Sequence, residues 1–156
     1  IDVPSRFVTV SFEGKRFWRP FDGGNIAIRL RAALATNTPS PFAPFVLDSK
    51  VNLRGVGNRV DRGTAQLVLN LEYRHTVFHN DKFAGQVVVF ADLGTWRNPG
   101  GELKELFESE QFREFLGVGI RFINKKVFRS TLRLDYGVDI ANTNQRGFVF
   151  GVGQYF

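Results

Sequence analysis

Between Gln66 and Arg74 the chain alternates, with Leu67, Leu69, Leu71 and Tyr73 on one parity and Gln66, Val68, Asn70, Glu72 and Arg74, all polar but Val68, on the other. A period of two reads as a β-strand whose faces meet different surroundings. The polar parity is the constraining part, because it carries an amide, a carboxylate and a guanidinium in succession. Ile26, Ile28, Leu30, Ala32 and Leu34 likewise alternate with Ala27, Arg29, Arg31 and Ala33. Two arginines in mid-strand need a wet face, since a dry core would not tolerate such groups unpaired. A sheet that is apolar on one side and charged on the other is the frame the remaining sequence must fit.

The same period recurs along the chain. Val8, Val10, Phe12 and Trp18 oppose Thr9, Ser11, Glu13 and Lys15 in a first strand from Phe7 to Trp18, and Phe21 to Asn25 composes a tight turn. After the arginine-bearing second strand comes a long loop, at about 36–63, with Pro39, Pro41 and Pro44 near its start and Val51-Asn52-Leu53-Arg54-Gly55-Val56-Gly57-Asn58 near its end. The Gln66 to Arg74 strand follows. A fourth places Phe83, Val87, Val89, Ala91 and Leu93 opposite Gln86, Val88, Phe90, Asp92 and Gly94. A second long loop holds Glu102 to Phe107, spaced for a short helix, within a Glu102 to Gln111 stretch that reads as a loop cap more readily than as a partner-binding helix. The fifth strand sets Leu116, Val118, Ile120 and Phe122 against Gly117, Gly119 and Arg121, and the sixth sets Leu132, Leu134, Tyr136, Val138 and Ile140 against Arg133, Asp135, Gly137 and Asp139. In the seventh, Phe148, Phe150, Val152 and Phe156 alternate with Gly147, Val149, Gly151 and Gly153.

Composition narrows the setting. The 156 residues suit one domain and include no cysteine or methionine, which excludes disulfides, thiol catalysis and Cys-based metal sites. The formal charge of +6 raises nucleic acid as a partner, but the basic residues are spread one or two per segment and form no block, so no nucleic-acid partner is expected. No stretch nears the roughly 20 apolar residues of a spanning helix. A transmembrane β-strand leaves a weaker trace, about 10 residues of alternating hydrophobicity, and connections that alternate short and long match a barrel with short periplasmic turns and longer extracellular loops. Ile1 in place of an initiator methionine, with no signal peptide from Ile1 to Pro4, suggests a processed or partial chain whose export signal lies upstream. Single-chain bacterial barrels use even strand numbers, and open edges in hydrocarbon are costly. Seven strands are therefore expected to be the C-terminal part of a larger barrel, or to be closed by a second chain.

Four stretches together resemble a family. Leu53-Arg54-Gly55 in a long loop, Leu71-Glu72-Tyr73-Arg74 in the next strand, Phe90-Ala91-Asp92-Leu93-Gly94 in the one after, and a Gly-Phe-x-Phe-Gly-x-Gly-x-x-Phe terminus are similar to the C-terminal barrel half of BamA/TamA-type outer-membrane assembly factors, the bacterial surface antigen barrels. The superfamily also includes two-partner secretion transporters and patatin-fused barrels. The resemblance covers nearly the whole chain, in order. It implies an all-β, antiparallel transmembrane barrel of about sixteen strands, integral to the bacterial outer membrane, of which residues 1–156 supply the last seven. It implies a loop at 36–63 that inserts into the lumen, with Arg54 paired to Glu72 and Asp92, Gly55 allowing close approach, and Leu53 and Val56 packing the tip. Val56 departs from the family, which usually has an aromatic there.

The same resemblance makes the last strand an assembly signal and seam: Gly147, Gly151 and Gly153 on one face, Phe148, Phe150 and the terminal aromatic Phe156 on the other. The implied function is insertion, assembly or translocation of polypeptides, with outer-membrane lipid and unfolded clients as partners. A passive pore, or the barrel anchor of a fused patatin-like lipase, is the alternative. Catalysis and cofactors find no support: His75 and His79 have no nucleophile beside them, Asp135 and Asp139 read as pore-lining, and no phosphate loop or metal spacing occurs.

Overall fold

The computed structural model describes residues 6–37, 43–48, 52–57, 61–127 and 130–156. Ile1 to Pro4, Pro39, Pro41, Val51 and Asn58 lie outside them. The strands are β1 (Thr9–Phe21), β2 (Gly24–Ala35), β3 (Phe45–Leu47), β4 (Asp61–Gly63), β5 (Ala65–His79), β6 (Phe83–Arg97), β7 (Arg113–Asn124), β8 (Ser130–Asp139) and β9 (Arg146–Val152). Seven of them form one antiparallel sheet in the order β1-β2-β5-β6-β7-β8-β9, and β3 pairs with β4 in a separate two-stranded ladder. Among the described residues β1 and β9 are the two edges and do not pair with each other.

The period-two reading fits the burial, with an inversion relative to a water-soluble sheet. Glu72, Asn70 and Asp135 are fully buried, whereas Val118 is 56% exposed, Ile120 58% and Phe148 72%. One face thus carries the charged and amide side chains together with buried Val68, Trp96 and Phe115, while Val, Leu, Ile and Phe cover the other. Outward aromatics pair across strands, Tyr136 with Phe148 at 4.7 Å and Phe83 with Phe122 at 5.2 Å between ring centroids.

The sheet curls around its polar face. The ring of Tyr155, just beyond β9, lies 5.1 Å from the guanidinium of Arg29 on β2 and 4.7 Å from that of Arg133 on β8. Four strand steps separate β2 from β8, about 19 Å across a flat sheet. Strand side chains stand nearly perpendicular to the sheet, so one ring reaches both only if the sheet is strongly concave.

Several boundaries differ from the sequence reading. The first strand runs on to Phe21 through a register shift after Trp18, and only Asp22 and Gly23 separate it from β2. The long loop is not featureless, since β3 and β4 clip its two limbs together through the pairs Phe45 with Gly63 and Leu47 with Asp61. The spacing after Glu102 makes a 3-10 helix, Leu103–Phe107, held by a capping box between Glu102 and Glu105. A second such turn spans Ser109–Gln111.

The last correction concerns Phe156. Extending the alternation of β9 places it outward with Phe148 and Phe150. The strand instead ends at Val152, and Gly153 adopts φ 92° with its N–H donating to the Thr131 carbonyl at 2.7 Å. That left-handed backbone turns the tail inward. Phe156 then sits on the polar face, 6.5 Å from Phe17 of β1, with its carbonyl accepting from Arg74 Nη2 at 3.1 Å.

Candidate functional site: a loop arginine held on the concave wall

β5 and β6 are paired so that Asn70 faces Asp92 and Glu72 faces Phe90. All four side chains are buried, which makes a patch of amide, two carboxylates and one aromatic ring in the middle of the concave face. Arg54 enters this patch from the loop and is itself fully buried. Its Nε and Nη2 donate to the two oxygens of Asp92, each at 2.9 Å, and its main-chain N–H donates to Asp92 Oδ2 at 2.9 Å. Its Nη1 donates to Glu72 Oε2. The planar fork of arginine matches this bidentate geometry, which lysine could not reproduce. The Phe90 ring lies 3.6 Å from the guanidinium carbon and the Tyr155 ring 4.3 Å.

Surrounding groups complete the satisfaction of the two carboxylates. Asn70 Nδ2 donates to Asp92 Oδ1 at 2.7 Å and to the Asn52 carbonyl at 2.8 Å, while its Oδ1 accepts from Arg29 Nε at 2.9 Å and Nη2 at 2.8 Å. Glu72 Oε1 accepts from Arg74 Nε at 2.5 Å, and Arg121 Nη2 lies 3.7 Å from Glu72 Oε2. Arg121 in turn donates to Asp135 at 2.6 Å. Burial opposes the charge on Arg54, yet the Asp92 hydrogen bonds and the charges of Asp92 and Glu72 outweigh it and hold its pKa above the ordinary value. The guanidinium stays charged, and with its two carboxylate partners it makes the patch an electrostatic clamp.

Close approach of backbones makes room for the clamp. Gly55 has φ 98°, and a Cβ built on it would stand 2.6 Å from the Gly137 carbonyl carbon. Gly137 is equally constrained, because a Cβ there would run into the Arg54 carbonyl. Gly117, Gly137 and Gly147 are in register across β7, β8 and β9, and the loop crosses the last two of these. Gly147 therefore serves as floor beneath Gly55 and Gly57, 3.4 Å from where its Cβ would be. Leu53 rests on Gly94, where a Cβ would lie 2.7 Å from its side chain. Leu53 and Val56 join Leu47, Val68, Trp96 and Phe115 in a buried apolar cluster. Val56, 5% exposed, packs without an aromatic ring because Trp96 and Phe115 supply the bulk from the wall.

Of the terminal-strand residues, Phe148 and Phe150 face outward, Gly147 and Gly151 face the wall, and Gly153 and Phe156 belong to the inturned tail. A Cβ at Gly151 would meet the Arg133 guanidinium. Sequence reasoning passed over Phe90 and Tyr155 as partners of Arg54, and Asn70 as a partner of Asp92 and of the Asn52 carbonyl. The parity of Asn70 and Phe90 was available, but their contact with the loop needed the strand register. Asp139 accepts the N–H groups of Ala141 and Asn142 and so caps a turn, and His75 Nδ1 is 3.1 Å from the Tyr73 hydroxyl. Among the described residues no group of three or more His, Asp or Glu could hold a metal ion.

No protein-family model, curated protein or solved structure matches the chain.

Proposed function

We propose that the chain is the C-terminal part of an outer-membrane β-barrel of the BamA/TamA-type superfamily, and that the complete barrel inserts, assembles or translocates polypeptides at the outer membrane. The observation that carries this reading is the buried ion-pair clamp of Arg54 with Glu72 and Asp92, made by a loop on the charged face of a sheet whose other face is apolar. Such a sheet suits lipid outside and a polar lumen inside. β7, Arg113–Asn124, has 12 residues, enough for the roughly 9–11 residues a tilted strand needs to cross the hydrocarbon core. The resemblance of the Arg54, Glu72 and Asp92 stretches to the family's loop and strand motifs supports the assignment of function.

No covalent chemistry is required of the site. The clamp would hold the loop as a brace across β5, β6, β8 and β9, keeping the concavity while the β9 edge stays available for pairing with a further strand. That strand would belong to the same barrel, to a second chain, or to a client added by β-augmentation. The proposal is tested on the full-length protein reconstituted in lipid vesicles and supplied with an unfolded outer-membrane barrel as client. Faster client folding than in empty vesicles is expected, reduced by Arg54→Ala. A protein that stays in solution without detergent and floats with no vesicle would overturn the membrane assignment. A membrane-inserted protein that leaves client folding at the empty-vesicle rate would overturn the assembly role alone.

A further inference from the structure

Tyr155 touches the clamp from outside both the loop and the wall. Its ring is 4.3 Å from the guanidinium carbon of Arg54, 4.7 Å from that of Arg133 and 5.1 Å from that of Arg29. The residue is 7% exposed, and its hydroxyl meets no hydrogen-bond partner among the described residues. A buried phenol with an idle hydroxyl pays for its desolvation, so the hydroxyl is not what places the side chain there. The ring face is. Asp92 and Glu72 take one N–H from each of the three guanidinium nitrogens of Arg54, and the rings of Phe90 and Tyr155 pack against the same guanidinium.

We infer that Tyr155 is the second half of the Arg54 clamp, so that the 52–57 loop and the 153–156 tail dock on the concave wall as one coupled unit. With the loop out, Tyr155 loses the nearest of the three cations it covers, and its ring is left over an empty clamp. With the tail out, Arg54 keeps the Phe90 ring but loses that of Tyr155. Each segment therefore stabilises the other's docking, and by linkage the coupling is the same in both directions. Phe156 holds the far end of the tail independently of the loop, through its carbonyl on Arg74 and its ring 5.1 Å from Arg29. The inference concerns the folded chain alone and stands apart from the membrane assignment.

Hydrogen exchange of the folded full-length chain reads the loop side, through the Arg54 N–H bound to Asp92 and the Leu53 N–H bound to the Asp48 carbonyl at 2.8 Å. Tyr155→Leu, which keeps apolar bulk without a π face, is expected to speed exchange at these amides about fivefold or more, in the range of a desolvated cation–π contact. Tyr155→Phe is expected to leave it at the wild-type rate. The tail side is read by fluorine NMR of 3-fluorotyrosine, which the three tyrosines make tractable; the Tyr155 resonance is the one lost in Tyr155→Phe. Leu53→Ala, which loosens the loop without touching the arginine wall, is expected to move that resonance toward the solvent-exposed position. Wild-type exchange in Tyr155→Leu, or a Tyr155 resonance indifferent to Leu53→Ala, overturns the coupling.

Discussion

Arg54 shows how much one residue can be made to depend on its neighbours. A lone guanidinium at full burial would be prohibitively costly, and only two carboxylates in good geometry offset that cost. Removing the cation leaves Glu72 and Asp92 buried with fewer partners than they were built for. Arg54→Ala is accordingly expected to destabilise the fold by about 3–5 kcal/mol, measured as a lowered denaturant midpoint. Arg54→Lys should recover only part of the loss, since an ammonium cannot span both oxygens of Asp92. A wild-type midpoint in Arg54→Ala would show the clamp to be ornamental. Asp92→Asn, which keeps the shape and drops the charge, should cost less than Arg54→Ala because Glu72 remains to pair with the cation. Burial drives the Tyr155 phenol well above its ordinary pKa, so that ring stays neutral, and its contact with Arg54 is not switched by pH in the neutral range.

At the level of elements, the loop is seated by glycines on three different strands. Gly94 clears space for Leu53, Gly137 for the Arg54 carbonyl, and Gly147 for Gly57. A glycine inside a strand ordinarily weakens it, and a seam made weak by Gly147 and Gly151 was the natural reading of the terminal strand. The structure supplies another use for Gly147, as the floor under a crossing backbone. Gly137→Val should therefore lift the loop off β8, at a cost of about 1–3 kcal/mol for overpacking. Limited proteolysis near residues 52–57 would detect the lifted loop as faster cleavage. Unchanged cleavage would mean that the loop can seat elsewhere. Gly137 and Gly147 stand side by side only through the pairing of β8 with β9, and Gly94 lies off that row opposite Arg113; no single strand encodes this register.

For the molecule as a whole, the decisive property is which face of the sheet is wet. Val118 is outward and in mid-strand on β7. If lipid surrounds that face, Val118→Lys should destabilise the barrel by about 2–4 kcal/mol; if water does, the change should fall within about 0.5 kcal/mol. Folding titrations in detergent or lipid separate the two, and a near-zero effect would count against the membrane assignment. Heat-modifiable migration in detergent gels is a second, independent expectation of a barrel.

Periodicity alone determined the all-β architecture, the seven long strands and the side of the sheet on which Glu72, Asp92 and Asp135 stand, because a side chain's face is set locally by the two-residue repeat of an extended backbone. The same rule failed at Phe156. Alternation holds only while the chain stays extended, and the positive φ of Gly153 ends it three residues before the position it was used to place. Distance between segments far apart in the chain was decided by tertiary structure: Arg54 lies 38 residues from Asp92 in sequence, and Tyr155 meets arginines on β2 and β8 only because the sheet curls. Curvature and register arise from the summed pairing of all the strands, so the clamp's carboxylates could be read residue by residue, while Asn70, Phe90 and Tyr155 became its partners only in the folded wall.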